Sequence, residues 1–160
     1  MKPLRIYTDT SVFGGCGDEE FAVHSRRFFR AVTAGRVTVL LSRLVLDELD
    51  GAPVGVRSIL PGFPAVAVEV VELTDEIAML RDAYIEAGVV GSGSLDDAMH
   101  VAAATVARAD AIVSWNFKHI VSLDKMKAYN AVNLFQGYGI LTIISPREVF
   151  SDDNEEHEAG

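Results

Sequence analysis

The chain has 160 residues, one cysteine, and 14 Lys and Arg against 23 Asp and Glu, a formal net charge of −9. That length suits one domain, and 49% hydrophobic with 23% charged residues leaves enough apolar side chains for a core. Cys16 alone excludes an internal disulfide or a zinc centre built on cysteines, no apolar run nears the ~20 residues of a membrane span, and the acidic total opposes sequence-blind binding to nucleic acid.

Cysteine usage and the lack of an apolar signal core before Asp9 make a reducing, cytoplasmic setting the expectation. Residues 4–8 read as a first strand ending at Asp9-Thr10-Ser11, and Gly14, Gly15 and Gly17 read as a flexible loop. Residues 18–34 have helical spacing. Phe21, Phe28, Phe29 and Val32 make an apolar stripe and Arg26, Arg27 and Arg30 a basic one, and Gly35 suits the C-terminal end. Residues 37–41 are a second strand, and Ser42 is placed to cap the helix after it, residues 44–49. A short helix over 54–60, a turn between Pro61 and Pro64 and a third strand over 65–71 follow.

Thr74, with Asp75 and Glu76 behind it, starts a helix that stops at Gly88. Residues 95–108 are rich in Ala and Val, the composition of a helix packed within layers. Residues 111–114 are a fourth strand, 120–133 are partly helical, and 141–145 are a fifth strand, with a last turn opened by Pro146. Strands alternating with helices predict an α/β fold, a mostly parallel five-stranded sheet covered on both faces. Ligands in such sheets gather at the carboxyl ends of the strands.

Asp9 stands after the first strand, Asn116 after the fourth, Glu48 on the helix after the second, and Asp96 and Asp97 at the start of the Ala-rich helix. Each has an ordinary reading as a capping or solvated residue. Asp97 fits that reading least, because a carboxylate in an apolar helix is costly unless paired or coordinated.

Four stretches, D-T-S at Asp9, L-L-S-R-L-V-L-D-E-L ending beyond Glu48, L-D-D-A-M-H-V-A-A-A around Asp97, and A-I-V-S-W-N-F-K-H around Asn116, follow in order. Together they resemble the motifs of the PIN-domain nucleases, over residues 4–150. The resemblance implies a PIN-like three-layer α/β/α sandwich and a metal-dependent ribonuclease that hydrolyses RNA phosphodiester bonds. It implies Asp9, Glu48, Asp97 and Asn116 as the catalytic set. Asp9, Glu48 and Asp97 would be ligands of Mg²⁺ or Mn²⁺, directly or through water. Many bacterial members are toxins, so a cognate antitoxin and a homodimer are implied partners beside RNA. Asn116 stands where many members carry Asp, which removes one negative charge; a catalytically weakened module that binds RNA or protein is the alternative.

The chemistry agrees with the resemblance. Carboxylate oxygens suit hard divalent cations, and acids facing one another without a cation repel. Thr10 and Ser11 can bond Asp9 or a bound water, or make a local turn. Arg26 and Arg30, with Lys118 beyond Asn116, can meet phosphate or form a solvated surface. His100 shares the Asp97 face and reads either as a structural residue or as one that orients a carboxylate. Trp115 reads as a base-stacking ring or a buried anchor. A phosphotransferase with Asp9 as nucleophile would want a second Asp two residues on, where Ser11 stands.

The charge is unevenly placed. Residues 151–160 carry five acids and no Lys or Arg, read as a disordered tail, and leave 18 acids against 14 bases in the body. Three of those 18 are the candidate metal ligands, so the acidity is mostly a tail and a site.

Overall fold

The computed structural model describes residues 2–150; the acidic segment 151–160, with the disorder expected of it, lies outside the described residues. Five strands, β1 (Leu4–Thr8), β2 (Val37–Ser42), β3 (Val68–Val71), β4 (Ala111–Val113) and β5 (Thr142–Ile144), form one sheet in the order β3-β2-β1-β4-β5. Every neighbouring pair is parallel, with Tyr7 beside Leu40 on one side and beside Ile112 on the other. A parallel sheet needs cover on both faces, which is why β2 and β4 are runs of apolar, buried residues rather than alternating ones.

The helices between the strands supply that cover. They are α1 (Thr10–Gly15), α2 (Ala22–Thr33), α3 (Arg43–Asp50), α4 (Val54–Arg57), α5 (Asp75–Glu86), α6 (Leu95–Val106) and α7 (Leu123–Phe135). The result is the three-layer α/β/α sandwich that the alternation of elements predicts. Among the described residues no helix is long and apolar enough to cross a membrane.

The sheet runs outward from β1 through β2 to β3, then resumes on the other side of β1 with β4 and β5. The strand order therefore reverses between β1 and β4. Connections leave the two strands in opposite directions there, and a crevice opens at their carboxyl ends.

The α6 helix lies deepest. Residues 100–105 are all buried, and alanines at 102, 103 and 104 let neighbours approach closely. Polar groups in this region are paired. The Tyr84 hydroxyl donates to the side-chain Oδ1 of Asn133, and the Asn130 side chain both donates to the Leu141 backbone carbonyl and accepts from the Leu141 N–H. Asn130 thus serves as a strand edge for the chain entering β5. Thr74 caps α5 through the Ile77 N–H at 3.3 Å, and Gly35 and Gly88 take φ of +81° and +76° after their helices, as the sequence predicts.

Several expectations are corrected. The helix expected over 18–34 starts only at Ala22, and Gly14 and Gly15 are not loop but the last residues of α1, which begins directly after Asp9 and leaves Gly17 in the turn beyond it. Gly15 is needed for close packing, since a Cβ there would lie 2.5 Å from Ser25 Oγ and 2.7 Å from Trp115 Nε1. Residues 65–67 form a 3₁₀ turn, and the third strand begins at Val68 because Pro64 and that turn hold the chain off the sheet. The predicted helix over 54–60 stops at Arg57 before a second 3₁₀ turn at Leu60–Gly62. Ser42 sits at the start of α3 but makes no cap bond, because its hydroxyl is hydrogen-bonded to the Tyr7 hydroxyl at 2.7 Å.

The Gly15 contact yields the first prediction. Gly15→Ala drives a methyl group against the Ser25–Trp115 hydrogen bond and lowers stability by about 1–3 kcal/mol, read as a lower urea midpoint with an unchanged slope.

Candidate active site

Asp9 directly follows β1 and is only 6% exposed. Such a group needs partners, because leaving it buried and unsatisfied costs several kcal/mol or more. Its Oδ2 accepts from the Ser11 hydroxyl at 2.9 Å and from the Ser114 hydroxyl at 2.7 Å. Each hydroxyl is itself fixed by a backbone N–H just beyond β4: Trp115 N donates to Ser11 Oγ, and Asn116 N donates to Ser114 Oγ, both at 2.9 Å. The two strand ends on either side of the crevice are thus joined through one carboxylate.

The other oxygen, Oδ1, faces His100. The His100 Nε2 lies 3.4 Å from Asp9 Oδ1 and 3.4 Å from Glu48 Oε1, bridging β1 to α3. On its far side the ring's Nδ1 lies 2.8 Å from the Tyr7 hydroxyl, and so joins the chain to Ser42. Burial alone would lower the pKa of His100. The Glu48 hydrogen bond and the charges of Asp9, Glu48 and Asp97 outweigh it and raise the pKa above its ordinary value. With the ring protonated, Nδ1 donates to Tyr7 and Tyr7 donates to Ser42. His100 is therefore both things the sequence left open: fully paired within the structure, and the group that orients two carboxylates.

Asp97 enters from the first turn of α6. Partial burial raises its pKa, with the nearby Asp9 charge adding to that, against the opposing effects of His119, His100 and the Asn116 amide. The Asn116 Nδ2 donates to Asp97 Oδ1 at 3.1 Å, while Asn116 Oδ1 accepts from the His119 N–H at 2.9 Å. Both bonds require the same amide orientation. Asn116 thus turns its nitrogen, not its oxygen, toward the acids and positions Asp97 instead of offering an oxygen to a cation. An aspartate here would place a further negative charge against Asp97, and the neutral amide removes that repulsion.

Asp9, Glu48, Asp97 and Asn116 all line one cavity of about 700 Å³, together with Thr10, Ser11, Asp18, Phe21, Asp96, His100 and Trp115. These four residues, separated by up to 107 positions in the chain, thus converge on one cavity. Thr10 does not bond Asp9; its Oγ1 is buried without a hydrogen-bond partner among the described residues. Arg26 and Arg30 line an adjoining groove of about 1030 Å³ rather than the acidic cavity, and the two share Gly14, Asp18, Pro53 and Val56. Arg27 is buried, so the exposed basic face of α2 consists of Arg26 and Arg30. Lys118 is exposed and lines neither cavity. Trp115 is the buried anchor, with Nε1 donating to Ser25 Oγ at 2.8 Å. The residue sequence reasoning missed is Ser114: its role lies in a hydrogen bond to Asp9, 105 positions away, which no local signal announces.

The donor set, carboxylates with hydroxyls and an unpartnered Thr10 oxygen, has the chemistry of a site for a hard divalent cation. The arrangement is not a closed cage. Among the described residues no three His, Cys, Asp or Glu side chains are gathered to hold an ion as they stand, because His100 already lies between Asp9 and Glu48.

A pH dependence follows from His100. A histidine whose folded pKa is raised contributes stability that is complete below about 6.5 and lost as pH rises through the raised folded value. In EDTA the protein is expected to lose thermal stability over that window, and His100→Gln is expected to flatten the slope. An unchanged slope in the variant would show that the bridge carries no charge.

No family model matches the chain, and no curated protein matches it.

Proposed function

We propose that the protein is a PIN-type, metal-dependent ribonuclease that hydrolyses RNA phosphodiester bonds with Mg²⁺ or Mn²⁺. The observation that carries the reading is the convergence of Asp9, Glu48, Asp97 and Asn116 on one cavity at the carboxyl ends of the strands, where the sheet order reverses. Asp9 and Asp97 would hold the cation, with Glu48 joining directly or through water. A cation there neutralises the scissile phosphate and makes hydroxide available near neutral pH.

The chain's own groups have distinct tasks in this reading. Ser11 and Ser114 hold Asp9 by one oxygen, which leaves Oδ1 directed toward His100. Asn116 holds Asp97. Thr10 Oγ1 can donate to a phosphate oxygen or to the attacking water. Arg26 and Arg30, in the adjoining groove, are placed to meet the backbone of a strand that leaves the cavity, whereas Lys118 contributes from outside either recess. The same reading carries a cytoplasmic setting, a cognate antitoxin as a protein partner, and a homodimer.

A second reading, a weakened module that binds RNA or protein without cutting, is favoured by one observation: Asn116 is neutral and presents its nitrogen to the acids. Titration calorimetry with Mn²⁺ separates the two, since the nuclease binds the ion and the weakened module does not.

Asp9→Asn and Asp97→Asn are each expected to reduce RNA cleavage at least about a hundred-fold, because a metal-supported step loses several kcal/mol when a charged ligand is neutralised. EDTA is expected to abolish wild-type cleavage; activity indifferent to EDTA overturns the reading. Asp97→Asn is also expected to raise the melting temperature of the metal-free protein, because it removes a half-buried charge that Asp9 repels. A variant that is more stable and inactive marks Asp97 as a residue kept for chemistry and not for folding.

A further inference from the structure

We propose that Phe117 and Phe21 form a stacking platform for an unpaired nucleobase at the mouth of the acidic cavity, an inference that rests on the ribonuclease reading and says how its substrate strand is held. The cavity itself offers a polyanion little. Asp9, Asp18, Glu48, Asp96 and Asp97 line it, and among the described residues no Lys or Arg does. Anchorage has to come from the rim, and from contacts that do not depend on charge.

The rim beside Asn116 is aromatic. The Phe21 ring lines the cavity and stacks on Trp115 with centroids 4.2 Å apart and planes 20° from parallel. Trp115 is held from behind by Ser25 and by the lack of any side chain at Gly15, so the stacked pair has a fixed base. The Phe117 ring lies 6.4 Å from Phe21 and 6.1 Å from Trp115, and Phe117 is 48% exposed.

Its position is set by the turn that follows β4. Phe117 N donates to the Trp115 carbonyl at 3.0 Å, and Ile120 N and Val121 N donate to the Asn116 carbonyl at 3.1 and 2.8 Å. Asn116 Oδ1 closes the same loop through His119 N. An apolar ring is thus displayed to solvent on a pinned loop, one residue from the group that holds Asp97. Base stacking on such rings is tolerant of sequence and independent of charge, which is what an acidic cavity requires of its substrate anchor. A duplex keeps its base faces within its own stack, so the platform selects an unpaired strand.

The test is fluorescence anisotropy of a labelled single-stranded RNA oligonucleotide in Ca²⁺, with strand integrity checked on a gel, against an abasic strand of equal length and a duplex. Phe117→Ala is expected to weaken binding of the base-bearing strand about ten-fold and that of the abasic strand less than about two-fold. Phe117→Tyr is expected to retain wild-type binding, and Phe117→Leu, apolar but not aromatic, to behave as the alanine variant. Equal losses on both strands, no loss, or full binding by the leucine variant overturns the platform and leaves the nuclease reading standing. Base-dependent binding without cleavage in Mn²⁺ supports the platform and overturns the nuclease. No binding by the wild type to any strand overturns the platform, and EDTA-sensitive cleavage measured in parallel then decides the nuclease separately.

Discussion

The structure is organised around a carboxylate buried at the end of its central strand. Asp9 is almost inaccessible to water, and a group of that kind is tolerated only when its oxygens are satisfied. Two serine hydroxyls meet one oxygen and His100 faces the other. Those partners come from α1, from the end of β4 and from the middle of α6, so satisfying Asp9 requires that all three elements be in place. The Ser11 and Ser114 hydroxyls are in turn oriented by N–H groups of Trp115 and Asn116. The backbone leaving β4 is therefore fixed by the residue that directly follows β1.

A second tension is set against the first. Bringing Asp97 and Glu48 near Asp9 gathers like charges in a partly desolvated space. The structure offsets this with three neutral or positive neighbours: His100 between Asp9 and Glu48, the Asn116 amide on Asp97, and His119 close enough to lower the Asp97 pKa. None of the three is Lys or Arg. A lysine or arginine would neutralise the acids permanently, whereas an imidazole and an amide restrain them without removing their charge.

The distribution of charge over the molecule follows the same division. Acids line the cavity, the adjoining groove carries Arg26 and Arg30, and the rim beside Asn116 is aromatic. Arg27, one residue from the basic pair, turns inward toward the Phe150 ring at 5.8 Å. A net charge of −9 thus describes no single surface of the protein.

Much of the architecture is legible in the sequence because it rests on local signals. Alternating strands and helices predict the parallel sheet, Thr74, Gly35 and Gly88 mark helix ends by capping and positive φ, and the Ala-rich segment predicts a helix packed deep within layers. The carboxyl-end rule also singles out Asp9 and Asn116 before any coordinates. What local signals cannot carry is what a side chain meets at long range. Gly14 and Gly15 read as a loop because glycine is permissive, yet they end a helix, and at Gly15 Trp115 and Ser25 leave no room for a Cβ. Ser42 reads as a cap, yet its hydroxyl belongs to the Tyr7–His100 chain. The sequence by itself determined the element order and the sheet type. Only the tertiary structure decided that His100 bridges Asp9 and Glu48, that Asn116 turns its nitrogen toward Asp97 and that Phe117 is left exposed, because each depends on groups that the parallel pairing of β1 and β4 and the packing of α3 and α6 at their ends bring together from distant parts of the chain.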